Sequence, residues 1–181
     1  MKHIATLLLV VLIVLFCSIF PLSAREHSIA LGAQLGFTTT GVIADVGIGD
    51  LYVQAGINYP LGITYIAAFS DAEEKFFDIY SFNADISHAF ALSDSFDMKL
   101  GVGTTLFTNF GPVIIGLAGA VVKGEYWIPN RNLGIFLNLN VPVMGYGFVE
   151  DDDTFDGGVV FNALFPLAGL VTSSVGLLYA F

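Results

Sequence analysis

The chain has 181 residues, of which 55% are hydrophobic and 12% are charged, and its formal net charge is -10. Roughly a quarter of the residues of a soluble domain are charged, so this composition excludes an ordinary soluble domain and favours a membrane protein. The six Lys and Arg residues are scattered singly along the chain. Nucleic-acid binding is therefore excluded, because it needs a basic patch or stripe.

The N-terminal segment has the pattern of a secretory signal peptide. A basic start precedes an uninterrupted apolar stretch, Ile4–Phe20, and the small residue Ala24 follows. We therefore expect residues 1–24 to be a cleaved signal peptide and residues 25–181 to form a single mature domain without cysteine, since Cys17 is the only cysteine. The alternatives are a retained membrane helix, for which the apolar stretch is at the lower length limit, and a lipid-anchored Cys17.

Behind this leader, large apolar residues repeatedly alternate with small or polar ones, which is the periodicity of β-strands with two different faces. Clusters of turn-forming residues separate these runs. The pattern predicts about eight strands, or ten if Thr39–Ile48 and Leu61–Phe69 are separate strands. In chain order, the runs are Ser28–Phe37, Leu51–Tyr59, Tyr80–Phe90, Phe96–Leu106, Val113–Ile128, Asn132–Val143, Val159–Phe165 and Val171–Phe181.

The residues on the less apolar face decide between a soluble sheet and a membrane barrel. A soluble β-sandwich would place Lys, Glu, Thr and Arg there, whereas this face carries mostly Gly, Ala, Ser, Asn and Gln. A bundle of short membrane helices is the rival, but its best candidates, Val113–Val122 and Val159–Val171, are too short to cross a bilayer. We therefore predict an all-β fold, a single transmembrane antiparallel up-and-down β-barrel.

The C-terminus carries the most specific signal. Val175, Leu177, Tyr179 and Phe181 alternate on one face, and Phe181 is the last residue. This pattern resembles the C-terminal signature of bacterial outer-membrane barrels, which the barrel-insertion machinery recognises. By size and pattern, residues 25–181 resemble the small barrels of the outer-membrane protein A, X and W group.

The resemblance implies export to the outer membrane of a diderm bacterium, with outer-membrane lipid and the insertion machinery as partners. It also implies a role as a structural or surface barrel, or as a small porin-like pore for hydrophobic or polar solutes. The apolar interior favours the W-like or fatty-acid-channel-like members, which are associated with small hydrophobic ligands. We expect no cofactor, no metal and no enzymatic activity; a lipid-modifying enzyme is the alternative.

Four charged residues form a candidate lumen cluster, which is structural or acts in gating. Asp97 and Lys99 lie on the interior face of one predicted strand, and Lys123 and Glu125 lie on the same face of the next. A hairpin centred near Pro112 would place Lys99 opposite Glu125. Asp45 and Asp85 are expected to add to the acidity of the interior.

Other polar and aromatic residues give weaker signals. Ser87 and His88 alternate, so they face opposite sides of a strand and cannot act together as nucleophile and base. The acidic segments Asp71–Glu74 and Glu150–Asp156 are expected to be solvated loops, and a strand count from the C-terminus places the second at the same end as that terminus. Aromatic residues near predicted strand ends are expected to form the two interfacial girdles. They are Phe76, Phe77, Tyr80, Phe107, Phe110, Tyr126, Trp127, Tyr146, Phe148 and Tyr179.

Overall fold

A computed structural model describes residues 28–69, 78–151 and 154–181. The predicted leader, the aromatic pair Phe76 and Phe77, and the acidic segment Asp71–Glu74 lie outside these ranges. The described residues form nine strands and two short helices. In chain order they are β1 (Ile29–Gly36), β2 (Thr40–Ile48), β3 (Leu51–Tyr59), α1 (Leu61–Phe69), β4 (Tyr80–Ser93), β5 (Phe96–Thr108), β6 (Val113–Trp127), β7 (Leu133–Asp151), β8 (Thr154–Phe161), α2 (Phe165–Thr172) and β9 (Ser174–Ala180).

Eight of the strands close into an antiparallel β-barrel. Strands β1 to β6 each pair with the next strand along the chain, and β9 pairs with both β1 and β7 to complete the ring. Closure gives every barrel strand a neighbouring strand on both sides. Among the described strands, β8 pairs only with β7 and keeps one free edge. The predicted all-β barrel with about eight strands is therefore confirmed.

Strand β8 stands outside the closed ring. Strand β7 pairs with β6 along Gly134–Val149, so β8 and β9 must share its other edge. Strand β9 takes the first part of that edge, Leu133–Asn138, and β8 takes the last part, Met144–Asp151. Helix α2 lies between them, where its Gly169 approaches Asn140 of β7.

This arrangement places the end of β7 and the start of β8 at the end of the barrel opposite the C-terminus. Strands β8 and β9 are both antiparallel to β7, so the chain keeps the same direction through α2. Glu150 and Asp151 lie in β7 and Asp156 lies in β8, so the expectation of a solvated loop was wrong for these residues. The strand count pointed to the C-terminal end, but the sequence interpretation left the orientation of the loops open. The count had assumed that the chain reverses between two successive barrel strands.

The helical alternative is also wrong. Val113–Val122 lies within β6, and of the segment Val159–Val171 only the part within α2 is helical. Within the residues that the structure describes, no helix is both long and apolar enough to cross a membrane.

The alternation predicted from sequence separates the two surfaces of the wall. Large apolar side chains such as Val42, Ile57 and Leu177 point outwards and are exposed, whereas those of their neighbours Ile43, Asn58 and Leu178 are buried inside. Because side chains alternate with a period of two, one strand can present an apolar outside and a polar inside.

The barrel interior is closed by apolar side chains at the end that carries the C-terminus. We call these residues the apolar seal, and Trp127 is the largest of them, with 1% of its surface exposed. Gly134 on the neighbouring strand leaves room for the indole ring, because a Cβ there would lie 2.9 Å from it. The seal consists of Ala30, Ile43, Trp127, Phe136, Leu178 and Ala180.

Trp127 was therefore wrongly assigned to an outer girdle, because it occupies an inward position at the end of β6. Other aromatic residues do lie at the outer rims. Tyr80 contacts Phe110, with 5.3 Å between the ring centroids, at one end. Tyr179 contacts Phe181, also at 5.3 Å, at the other end. Tyr126 is exposed, and Phe107, Tyr146 and Phe148 are partly exposed.

Candidate functional site

The barrel interior contains a cluster of buried charged side chains, which we call the charge cluster. Each member occupies an inward position of its strand, and none has more than 7% of its surface exposed. Four carboxylates and two ammonium groups give the cluster a formal charge of -2. Its members are Asp45 on β2, Asp85 on β4, Asp97 and Lys99 on β5, and Lys123 and Glu125 on β6.

Lys99 forms the centre of one half of the charge cluster. Its Nζ lies 2.6 Å from Oδ2 of Asp45 and 2.7 Å from Oε1 of Glu125. The same ammonium group lies 3.7 Å from the ring centroid of Tyr52, a favourable position for a cation over an aromatic face. Lys99 thus joins β5 to β2, β3 and β6 across the interior.

Lys123 forms the other half. Its Nζ donates a hydrogen bond to Oδ1 of Asp85 at 2.6 Å, and both side chains are buried. Strands β6 and β4 are not neighbours in the barrel, because β5 lies between them. The pair therefore spans the inner surface of β5, where Gly101 and Gly103 carry no side chain.

The register between β5 and β6 differs from the expected one by two residues. Lys99 pairs with Lys123, and Asp97 pairs with Glu125, around a turn centred on Gly111. In that turn Phe110 adopts a φ of 59°, and Gly111 N–H donates to Oδ1 of Asn109. A shift of two residues keeps each side chain on its face, so the four predicted residues still lie inside. Lys99 and Glu125 meet diagonally instead of directly.

The structure brings Asp45 and Asp85 into the site as direct partners of the two lysines. Alternation could place Asp85 inside, but it could not identify its partner. Lys99 and Asp45 are 54 residues apart in sequence, and Lys123 and Asp85 are 38 apart. Only closure of the barrel determines these pairs.

A second polar group, which sequence reasoning missed, fills another part of the interior. We call Gln34, Asn58 and Asn83 the amide cluster. Gln34 Nε2 donates to Oδ1 of Asn58 at 2.7 Å and to Oδ1 of Asn83 at 2.8 Å. Asn58 Nδ2 also donates to Oδ1 of Asn83, at 2.7 Å. Their inward positions in three alternating strands were the available signal.

Ser87 and His88 lie on opposite surfaces of the wall, as the alternation predicts. Ser87 is buried inside the barrel, whereas His88 is exposed outside and stacks on Phe90, with 4.7 Å between the ring centroids. They cannot form a nucleophile and base pair with each other. Within the described ranges, no group of three His, Cys, Asp or Glu side chains is arranged to hold a metal ion.

The four residues of the C-terminal signature lie on the outer surface. Val175, Leu177 and Tyr179 point outwards from β9, Phe181 follows that strand, and all four are exposed. Their recognition by the insertion machinery stays a prediction.

Together these features define a closed eight-stranded β-barrel with an apolar outside and a charged, packed inside. No family model matches the chain, and neither the curated proteins nor the solved structures gave a significant match. The geometry of the barrel itself is therefore the guide to its function.

Proposed function

We propose that the mature chain is an integral outer-membrane protein of a diderm bacterium, inserted with its apolar outer surface in lipid. Two observations support this. The outer surface presents large apolar side chains around the wall, and the closed ring satisfies the backbone hydrogen bonds that hydrocarbon cannot. The signal-peptide pattern and the C-terminal signature suit export and insertion by the outer-membrane pathway.

Within this proposal, the barrel is a sealed structural or surface protein in preference to a small pore. The observation that carries the choice is the filling of the lumen by three successive groups of side chains. Ion pairs of the charge cluster span the interior, the amide cluster fills a second region, and the apolar seal closes one end. A water-filled channel needs a continuous polar path, which these side chains block.

A small cavity lies between β5, β6, β7 and α2. It measures about 10 Å³ and is lined by residues that include Thr105, Asn140 and Thr172. That volume is close to the minimum that one water molecule requires. A cavity of this size has no room for a solute larger than water.

Two experiments test the proposal. Detergent-folded mature protein should give strand-type circular dichroism and a band whose gel mobility changes on boiling. In planar bilayers it should give no conductance steps, with a porin of known conductance as the control for detection. Wild-type protein that conducts would contradict the sealed lumen, and protein that stays in water without detergent would contradict the membrane assignment.

A matched variant tests which side chains close the lumen. Lys99→Ala combined with Trp127→Ala shortens one side chain in the charge cluster and one in the apolar seal. The heat-dependent gel shift first identifies the folded protein, and the folded variant should leak more ions than the wild type. Asp94→Ala, in the exposed β4–β5 turn, serves as the control and should leave the barrel closed.

A further inference from the structure

The strands of the barrel differ greatly in length. Strands β1, β2, β3 and β9 have seven to nine residues, whereas β4 to β7 have 13 to 19. A strand of eight residues is about 27 Å long, and a tilt of about 40° reduces its height to about 20 Å. The apolar band of an outer-membrane barrel is about 25 Å tall. The short strands are therefore several ångströms too short to span the whole height of this band.

Both helices lie where the short strands end. Gly62 N–H of α1 donates to the carbonyl of Phe37 at 2.7 Å, and Thr38 N–H donates to the carbonyl of Val171 of α2 at 3.1 Å. Phe37 and Thr38 belong to the turn between β1 and β2. The two helices therefore flank this turn and continue the short side of the wall.

The helices have the composition of a lipid-facing surface. Neither contains a charged residue. Tyr65 and Phe69 of α1 and Leu167 and Leu170 of α2 are 67% to 77% exposed. A helix on a water-exposed surface usually has a polar face opposite its apolar stripe, and these two lack one. Both helices are hydrogen-bonded to the turn at the end of β1 and β2, strands whose outward side chains, such as Leu35 and Val42, are also apolar and exposed.

The contact between α2 and β7 also suits an environment without water. No described strand pairs with β7 on this edge between Asn138 and Met144. Asn140 N–H donates instead to Oγ of Ser173 at 3.1 Å, and Pro142, the next residue with the same orientation, has no N–H. Neither residue therefore leaves an unbonded backbone N–H on this edge, which is what a hydrocarbon environment requires.

We propose that the outer surfaces of α1 and α2 contact the acyl chains of the bilayer and complete the apolar band above the short strands. A helix can replace a strand here because it satisfies its own backbone hydrogen bonds. This inference rests on the proposed membrane function and adds the lipid contact of these two elements. The occupant is therefore bilayer hydrocarbon, and a second copy of the chain is an outcome to be tested.

The single tryptophan of the chain permits a direct test. Trp127 is buried inside the barrel and should escape quenching by lipids that carry bromine on their acyl chains. A second tryptophan is introduced by Leu170→Trp in α2 or by Tyr65→Trp in α1. Leu177→Trp on the outside of β9 is the lipid-exposed control, and Asp94→Trp in a turn is the water-exposed control. Each variant is first checked for the heat-dependent gel shift, and Leu167→Trp and Phe69→Trp replace any that fails to fold.

In vesicles of brominated lipid, we expect the introduced tryptophan of the α1 and α2 variants to lose as large a fraction of its fluorescence as the one in Leu177→Trp. The inference would be overturned if Leu177→Trp is quenched but the helix variants lose no more fluorescence than Asp94→Trp. The proposed membrane barrel would stand in that case. If Leu177→Trp also escapes quenching, the proposed function itself fails. The helix variants could also be quenched at a low protein-to-lipid ratio but not at a high one, while Leu177→Trp stays quenched at both. That result would show that a second copy of the chain covers the helices and would overturn lipid contact.

Discussion

Replacing Lys123 by methionine is the sharpest test of the charge cluster. The substitution keeps a long, flexible side chain and removes only the ammonium group that Asp85 contacts at 2.6 Å. It also changes the formal charge of the cluster from -2 to -3. Because Asp85 is also buried, water cannot solvate the carboxylate that loses its partner.

The expected size of the effect follows from this distance and burial. At 2.6 Å and an effective dielectric constant of about 20, the attraction between the two charges is roughly 6 kcal/mol. Desolvation of both groups offsets most of that gain, so the intact pair adds little net stability. Removal of one partner leaves a buried charge uncompensated, and we expect the free energy of unfolding to fall by about 3–5 kcal/mol. Asp85→Asn should lower the free energy of unfolding by less, because it changes the formal charge of the cluster from -2 to -1.

The assay is reversible urea unfolding in lipid vesicles, followed by the fluorescence of Trp127. The double variant Asp85→Leu with Lys123→Met removes both charges and should recover most of the lost stability. The exposed turn substitution Asp94→Asn is the control and should change the free energy of unfolding by less than about 0.5 kcal/mol. If Lys123→Met costs no more than Asp94→Asn, the charges are not paired in a dry interior and the reasoning is refuted.

Three further substitutions test other parts of the structure. Trp127→Ala should reduce the free energy of unfolding by about 3–5 kcal/mol, because it opens a cavity in the apolar seal; circular dichroism during urea unfolding measures this, and an unchanged midpoint would contradict the seal. Ala55→Arg should lower the free energy of unfolding in vesicles by about 2–4 kcal/mol, because it places a charge on the outer wall. Asp94→Arg, in a turn, should lower it little, and equal losses for the two variants would argue against lipid contact. Gly169→Ala should lower the free energy of unfolding by about 1–3 kcal/mol, because its Cβ would lie 1.9 Å from the carbonyl oxygen of Asn140. The same clash should expose α2 to protease, and unchanged protease resistance would contradict this close packing.

The errors of the sequence interpretation have different causes, and one of them is that alternation carries no information about which strands meet. The expected register set Lys99 opposite Glu125, but the geometry of the turn around Gly111 moves the pairing by two residues. Trp127 was assigned to the outer girdle by its place near a strand end, although its parity with Lys123 and Glu125 places it inside. The role of β8 as a strand beside the ring depends on α2, and an eight-residue apolar helix cannot be distinguished from a strand by composition alone.

By itself, the sequence determined that the chain forms two-faced strands and which side chains share a face. These properties follow from the two-residue period of an extended backbone and from the contrast between apolar and small or polar residues, both of which are local. The tertiary structure decided that Lys99 meets Asp45, that Lys123 meets Asp85, and that α2 takes the place of a strand beside β7. Those contacts join residues far apart in sequence, so they exist only once the ring has closed and its registers are set.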